Sequence, residues 1–352
     1  MYAQPGQSKG RFFDSGMSPN ESAAPPGNRD TTQGKITMSD HIDETVIEDV
    51  KRPIRWHIGI FLLPAFLVYT AVMILPLAET LRQSFYNDID GTITFVGLAN
   101  YNVLFGDARW SHDLWNAFRN NLVFFAIHMC VQNPIGIALA ALLSTRKLRF
   151  AAFYRTAIFL PALLSFVIVG FIWKLILSPI WGVAPYLLDL IELKWVFAPW
   201  LGRPDSALVA LSLVSVWQWI GVPMMLIYAA LLSIPDEVIE AAECDGIVGW
   251  SQFWKIKLPL ILPAIGIISI LTFVGNFNAF DLIYTAQGAL AGPDGSTDIL
   301  GTFLYRTFFG YQLQLGDRSM GATVATVMFV IILAGVSLYL FTIQRRLRRY
   351  QF

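Results

Sequence analysis

Six long apolar runs limit what this chain can fold into more than any other feature. They cover residues 58–81, 121–144, 154–177, 208–232, 260–284 and 322–343. About 20 residues of α-helix cross the roughly 30 Å hydrocarbon core of a bilayer, so each run is long enough for one crossing. Charged residues make up only 14% of the chain, whereas a typical soluble domain contains about 25%. We therefore predict an all-α, polytopic membrane protein with six transmembrane helices.

The positions of the lysine and arginine residues predict how these helices are oriented. Basic residues cluster before the first run, between the second and third runs, and after the last run. They are Lys51, Arg52, Arg55, Arg146, Lys147, Arg149, Arg155, Arg345, Arg346, Arg348 and Arg349. The three other connections are longer and carry fewer basic residues. Because loops rich in lysine and arginine stay in the cytoplasm, we expect both termini on the cytoplasmic side.

The first 50 residues differ in composition from the rest of the chain. They are rich in glycine, proline, serine, asparagine and acidic residues, with a Pro-Pro-Gly sequence at residues 25–27. Such a composition cannot bury enough apolar surface to offset the entropy lost on ordering. We expect a mostly disordered cytoplasmic tail over residues 1–50 and one membrane domain over residues 51–352.

A short polar stretch between the fourth and fifth runs carries the signals of two short helices joined by a turn. Ser233 and Asp236 have the spacing of a capping box, and acidic residues are favourable in the first turn that follows. Gly246 can adopt the left-handed conformation that ends a helix. We expect a second short helix over residues 250–256. On its own, this stretch is also compatible with an ordinary amphipathic loop helix.

The spacing within this stretch resembles the EAA loop of ABC-importer permeases. Glu240, Ala241 and Ala242 are followed after three residues by Gly246, and after nine more by an Ile-x-Leu-Pro sequence at residues 256–259. In that family the loop is cytoplasmic and docks into a groove on an ATPase, which agrees with the orientation given by the basic residues. The resemblance implies an ATPase-coupling role for these residues: Glu240, Ala241, Ala242, Asp245 and Gly246.

Five further stretches resemble the carbohydrate-uptake branch of this family, the maltose and glycerol-phosphate type. They are residues 97–101, 115–120, 154–161, 217–221 and 280–284. The resemblance runs from about Trp56 to the C-terminus and implies a multi-pass protein of the bacterial inner membrane. It implies one half of a heterodimeric permease that imports a sugar, expected to be a di- or oligosaccharide, by alternating access. The other implied partners are two ATP-binding cassette subunits and an extracytoplasmic solute-binding protein.

The sequence lacks the motifs of an ATPase. It contains no phosphate-binding loop of the form G-x-x-x-x-G-K-[ST], so we expect a transport subunit and not an enzyme. In the family, ATP and Mg²⁺ bind to the partner ATPase subunits, and no cofactor is expected on this chain. The two cysteines and four histidines are scattered, which gives no metal-binding pattern. The formal net charge of zero gives no support to nucleic-acid binding.

Candidate contacts for the solute lie in the fourth and fifth runs. Thr272 and Asn276 are four residues apart, on one face of a helix and near mid-depth. The corresponding part of the maltose permease lines its sugar site, where Asn276 matches an amide and Gly221 matches a position near the sugar. Candidate wall residues of the fourth run are Trp217, Trp219 and Met224. An intramembrane asparagine can instead link helices, and a tryptophan can mark the membrane interface.

Other kinds of membrane protein remain as alternatives. A peptide-type ABC permease would differ in its solute, and an ion-coupled secondary carrier would work without an ATPase. The charges inside the runs weigh against the carrier, because Glu79, Lys174 and Asp281 lie near the outer ends and not at the midplane. A scaffold subunit of a membrane complex would show no ATPase activity that responds to solute.

Overall fold

The computed structural model describes residues 56–89, 92–145, 149–193, 195, 197–312 and 314–344. The chain divides into two units, residues 1–59 and residues 60–352. The tail that we expect to be disordered, over residues 1–50, lies outside the described residues.

The described part of the chain is mostly helical. Its α-helices are α1 (Trp56–Tyr69), α2 (Leu75–Gln83), α3 (Ala99–Gly106), α4 (Ala108–Ile127), α5 (Asn133–Leu143), α6 (Ala151–Phe159), α7 (Phe166–Ile176), α8 (Val183–Leu190), α9 (Pro204–Trp219), α10 (Gly221–Leu232), α11 (Asp236–Cys244), α12 (Gly249–Gln252), α13 (Leu258–Phe277), α14 (Asp281–Gln287), α15 (Leu300–Phe309) and α16 (Arg318–Tyr339). The helical prediction is confirmed for the described residues.

Two short β-hairpins are the part of the fold that the all-α prediction missed. β1 (Tyr86–Ile89) pairs with β2 (Thr92–Phe95), and β3 (Gly310–Tyr311) pairs with β4 (Gln314–Leu315), both antiparallel. The strands have only two or four residues each. Such short strands do not show the alternation of apolar and polar residues by which a strand is recognised in a sequence.

Four helical segments are long and apolar enough to cross a membrane. They are span 1 (Gly59–Gln83), span 2 (Ala108–Leu143), span 5 (Gly249–Gln287) and span 6 (Arg318–Thr342). Two bent pairs raise the number to six if each pair is one crossing. These are span 3 (Ala151–Leu163 with Phe166–Ile176) and span 4 (Pro204–Trp219 with Gly221–Leu232). All six overlap the predicted runs. The structure therefore supports four to six crossings where the sequence predicts six.

Spans 3 and 4 are bent where the backbone hydrogen bonding of the helix is interrupted. Span 3 turns by 96°, because Leu164 and Ser165 are extended, with ψ of 143° and 136°. The predicted run over residues 154–177 is therefore two helices. Span 4 turns by 43° between α9 and α10. Pro223 has no N–H to donate to the carbonyl of Trp219 four residues earlier, which weakens the helix at this point.

Wide π-helical turns occur just before three of the prolines. Thr70–Ile74, His128–Gln132 and Phe253–Lys257 each end two residues before a proline: Pro76, Pro134 and Pro259. A proline cannot make the hydrogen bond to the carbonyl four residues earlier, and its ring clashes with that carbonyl. The wider turn accommodates this defect, so the polypeptide continues into the next helix without a sharp break.

Helix α13 packs in two separate hydrophobic clusters. Near its C-terminal end, Phe277 belongs to a cluster with Phe303 of α15 and Val324 of α16. Near its N-terminal end, Ile261 belongs to a cluster with Ile227 of α10 and other residues of α5 and α10. Because it contributes to both clusters, α13 connects the two sets of helices that surround it.

Span 1 contributes little to this core. None of the residues in its most apolar 18-residue window is buried. Most of its apolar surface is therefore free to contact lipid or another protein.

Candidate solute cavity and candidate coupling loop

A cavity of about 500 Å³ lies between the second, third, fourth and fifth spans. The π-helical turn of span 2 contributes His128 and Gln132, and α9 contributes Ser215 and Trp219. Helix α13 contributes one wall. Beyond its C-terminal end, residues 278–280 are not helical, and they form the end of the cavity together with the start of α14. The cavity volume falls in the range of small-molecule binding sites.

Two of the predicted solute contacts, Thr272 and Asn276, line this cavity from α13. The Thr272 hydroxyl donates to the amide oxygen of Asn133 at 3.3 Å. The Asn276 side-chain N–H donates to the Thr272 carbonyl at 2.6 Å, and its backbone carbonyl accepts from Asn121 at 2.9 Å. Thr272 therefore links α13 to span 2 through its side chain, whereas Asn276 does so through its backbone carbonyl.

The cavity wall also contains polar atoms without a hydrogen-bond partner. The side-chain oxygens of Asn276 and Gln132 are buried, and no described atom donates a hydrogen bond to either. An unsatisfied buried polar atom costs about 1–3 kcal/mol, so such atoms are normally paired with water or with a ligand. Both oxygens are acceptors, which suits a solute that carries hydroxyl groups.

His128 forms a further polar contact across the cavity wall. Its Nδ1 lies 2.8 Å from the carbonyl oxygen of Phe124, and its Nε2 lies 3.0 Å from the hydroxyl of Ser215. A carbonyl can only accept, so Nδ1 carries the proton and donates to it. In the neutral ring, Nε2 then accepts from Ser215, and the imidazole links span 2 to span 4.

Sequence reasoning missed the polar residues that span 2 brings to the cavity. His128 and Gln132 are four residues apart in an otherwise apolar run, which is the spacing of one helix face. That spacing was the available signal. Ser215 carried none, because a single serine in an apolar run commonly bonds to its own helix backbone.

Of the four candidates in the fourth run, only Trp219 is among the described residues that line the cavity. The other three are Trp217, Gly221 and Met224. Trp219 lines the cavity, with its ring 5.5 Å from that of Phe166. Trp217 packs instead against Trp173 with a ring separation of 5.4 Å. Met224 is fully buried in the cluster of α5, α10 and α13.

Gly221 has a packing role that the sequence did not indicate. A Cβ at this position would lie 2.6 Å from the Cα of Phe159 and 2.8 Å from the carbonyl oxygen of Ile158. The glycine therefore allows the bend of span 4 to pack directly against the backbone of span 3. The structure brings Thr272, Asn276 and Trp219 together around the cavity and places Gly221 in this helix contact.

The candidate coupling loop consists of α11, a tight turn and α12. Glu240, Ala241, Asp245 and Gly246 are exposed, whereas Ala242 is buried. Gly246 has φ of +77°, as predicted. The N–H of Gly246 donates to the carbonyl of Glu243, and the N–H of Ile247 donates to that of Ala242, which is the Schellman arrangement.

Two local details of this loop differ from the sequence prediction. Ser233 does not cap α11, because its hydroxyl donates to the carbonyl of Ala230 at the end of α10. The second short helix, expected over residues 250–256, is not separate. Helix α12 passes through the π-helical turn into α13, so the loop continues directly into span 5.

Comparison with known proteins gives the family. Residues 132–350 match the family described as "Binding-protein-dependent transport system inner membrane component". The match covers more than half of the chain, so the protein belongs to this family of multi-pass inner membrane components. The prediction of a permease subunit that is not itself an enzyme is confirmed by this match.

Several curated proteins are similar over most of their length. The osmoprotective compounds uptake permease protein GgtC of Synechocystis sp. is 31% identical over 277 residues, which cover 77% of this chain and 93% of GgtC. The lactose transport system permease protein LacF of Rhizobium radiobacter is 29% identical, with 78% and 88% covered. The multiple sugar-binding transport system permease protein MsmF of Streptococcus mutans is 28% identical, with 77% and 90% covered.

A solved structure shares the fold. It is a bacterial alginate ABC transporter in complex with a periplasmic protein that holds an alginate pentasaccharide. One of its chains superposes with a TM-score of 0.70, at 22% sequence identity, over 86% of the present chain and 99% of that chain.

Proposed function

We propose that this chain is one half of the transmembrane path of an ATP-driven importer of sugars, with a di- or oligosaccharide as solute. The continuity of span 5 carries the proposal. One continuous helical stretch, formed by α12, the π-helical turn and α13, begins at the candidate coupling loop and includes Thr272 and Asn276 at the cavity. LacF is named for a lactose transport system and MsmF for a multiple sugar-binding transport system, which supports a sugar as the solute.

The lining of the cavity favours a neutral solute. Among the described lining residues, Asp281 is the only one with a permanent charge. A carboxylate would repel an acidic sugar. The free acceptor oxygens of Gln132 and Asn276 would instead receive hydroxyl groups.

The proposed assembly contains a second permease subunit, two ATP-binding cassette subunits and an extracytoplasmic solute-binding protein. The ATPases would bind the exposed side of α11, and both chain termini would be cytoplasmic. The unburied surface of span 1 supports a contact with the second permease subunit or with lipid.

In the proposed mechanism, closure of the ATPases moves α11 and the cavity opens alternately to the two sides of the membrane. The Schellman turn at Gly246 holds α11 and α12 in a fixed relative orientation. Displacement of the loop would therefore move α13 as a rigid body, and with it one wall of the cavity. Spans 3 and 4 form the opposite wall, and their bends are positions at which the helices can change their relative angle.

Reconstitution of the complete importer in proteoliposomes tests this function. A panel of lactose, maltotriose, arabinotriose and trigalacturonate is offered with the cognate binding protein. We expect uptake of a neutral sugar. This uptake should require ATP on the side of the membrane where the ATPase subunits lie, and it should be insensitive to proton and sodium ionophores. Uptake without ATP would indicate an ion-coupled carrier, and ATP-driven uptake of peptides alone would indicate a peptide permease.

A matched pair of variants tests the coupling loop. Glu240 and Glu243 are both exposed acidic residues of α11, three positions apart. We expect Glu240→Ala to abolish ATP-driven uptake and Glu243→Ala to retain most of it. Equal uptake by the two variants would contradict the specific role proposed for Glu240.

A further inference from the structure

Four aromatic rings lie in contact at the end of span 5 that is opposite the candidate coupling loop. Phe280 and Tyr284 are stacked at 4.9 Å, and Tyr305 lies 4.9 Å from Tyr284 and 5.1 Å from Phe280. These three rings contact one another in a triangle, and Phe309 extends the group from Tyr305 at 4.9 Å. We call these four residues the aromatic row. It joins α14 to α15. Phe280 also lines the candidate solute cavity, whereas the other three rings have no role in the mechanism proposed above.

The aromatic row connects two cavities. A second cavity, of about 420 Å³, is lined by Phe280, Tyr305 and Phe309. Phe280 and Asn278 line both this cavity and the candidate solute cavity. A molecule that lies along the row therefore ends at the wall of the solute cavity.

A buried ion pair holds α15, and with it the row, in position. The guanidinium of Arg306 donates to the Asp298 carboxylate at 2.6 Å and to the carbonyl of Ala289 at 3.2 Å. The Thr302 hydroxyl also donates to Asp298, at 2.7 Å. These bonds attach α15 to the preceding loop by residues adjacent to Tyr305, so little ordering is required when a ligand binds to the rings.

A close backbone contact fixes the other side of α15. A Cβ on Gly301 would lie 2.4 Å from the carbonyl oxygen of Ala279. Only glycine allows α15 to approach the break between α13 and α14 so closely. As a result, Tyr305 from α15 reaches Phe280 at the break and Tyr284 on α14.

The rings of the row are partly accessible. Phe280, Tyr284 and Tyr305 are half-buried, and Phe309 is 67% exposed. Contiguous apolar surface that is accessible from outside the protein often marks a site of interaction or ligand binding. The two tyrosines also add hydroxyl groups at the edge of the apolar surface.

We propose that the aromatic row binds successive pyranose units of an oligosaccharide on its way into the solute cavity, an inference that rests on the proposed function. The C–H groups of a pyranose form an apolar face that packs on an aromatic ring, while its hydroxyl groups point outward. Phenolic rings suit such a ligand because they combine an apolar face with a hydroxyl group. Phe309 extends the aromatic surface beyond the three mutually contacting rings, so the row offers contacts to more than one pyranose unit and favours oligosaccharides over monosaccharides.

Uptake by the reconstituted importer tests this proposal. The probe is the member of the panel of lactose, maltotriose and arabinotriose that the wild-type importer accumulates fastest. Tyr305→Leu removes one ring, and we expect the maximal uptake rate to fall about 2- to 10-fold. Tyr305→Phe keeps the ring and should retain most of the rate. The concentration of loaded binding protein that gives half-maximal uptake should not change in either variant.

Phe309 and Phe153 provide a matched pair of substitutions, because the two side chains are equally exposed. Phe309 and Phe153 are both 67% exposed, and Phe153 lies on α6, outside the row. We expect Phe309→Leu to slow uptake and Phe153→Leu to leave it unchanged. Because both side chains are at the surface, this comparison remains informative even if Tyr305→Leu does not fold.

Each other outcome overturns the proposal in a distinguishable way. Unchanged uptake rates in Tyr305→Leu and Phe309→Leu would show that the solute does not use the row. A higher half-maximal concentration of binding protein at an unchanged maximal rate would assign the row to docking of that protein. Loss of the second permease subunit on purification of Phe309→Leu would assign it to subunit assembly. Absence of ATP-driven uptake of every sugar in the wild type would refute the proposed function itself.

Discussion

The turn at Gly246 offers the most direct test of the candidate coupling loop. Its φ of +77° lies in the left-handed region, where an L-residue with a side chain costs about 1–2 kcal/mol. A β-branched residue is a clear outlier there. A Cβ at this position would meet no atom within 4 Å, so steric overlap adds nothing to the cost. The penalty of Gly246→Val is therefore confined to the backbone of the turn.

This penalty determines how strongly the turn favours the native relative orientation of α11 and α12. A loss of about 1–2 kcal/mol lowers the equilibrium constant between the native turn and its alternatives by a factor of roughly 5–30. The bond from the Ile247 N–H to the carbonyl of Ala242 is lost in the same step. We expect ATP-driven uptake by Gly246→Val in proteoliposomes to fall by a factor of up to about 30, with the full factor reached where the native turn is only marginally favoured. Membrane insertion, complex assembly and basal ATPase activity should remain normal.

Gly97 supplies the control for this experiment. It also has a positive φ, of +58°, and a Cβ there would meet no atom within 4 Å. Gly97→Val carries the same backbone cost at a position outside the loop, so it should lose comparable stability and keep its uptake. Near-normal uptake by Gly246→Val, or the same loss in both variants, would refute the reasoning.

Three further predictions concern the cavity, the ion pair and the ATPase contact. Asn276→Ala should slow uptake at saturating binding protein without affecting assembly, because it removes an acceptor from the cavity wall. Asp298→Ala should lower the free energy of unfolding by about 3–5 kcal/mol, measured by thermal melting, because it leaves Arg306 partly buried and unpaired. Ala241→Cys, in a variant without Cys130 and Cys244, should cross-link to the ATPase, because Ala241 is exposed on α11.

Each of these predictions has a control in the same chain. Ser269→Ala removes a hydroxyl that bonds only to the carbonyl of Ile265 on its own helix, so uptake should persist. Glu79→Ala breaks an exposed ion pair with Arg82 and should barely change the melting temperature. Tyr186→Cys on α8 lies on a different element and should not cross-link to the ATPase. A reversal within any of these pairs would contradict the corresponding assignment.

The sequence determined those features that depend on neighbouring residues. The crossing segments follow from uninterrupted apolar runs, and the turn at Gly246 follows from the conformational freedom of a single glycine. The pairing of Thr272 and Asn276 on one face follows from a spacing of four residues. Each of these is a local property, so it can be inferred before the helices are placed.

Only the tertiary structure decided which side chains meet. Trp217 and Trp219 are two residues apart, yet one packs on Trp173 and the other lines the cavity, because they point to different sides of α9. The contact of His128 with Ser215 joins residues that are far apart in the sequence. Such pairings depend on the rotation and bending of whole helices, which are set by packing across spans and not by any single run of residues.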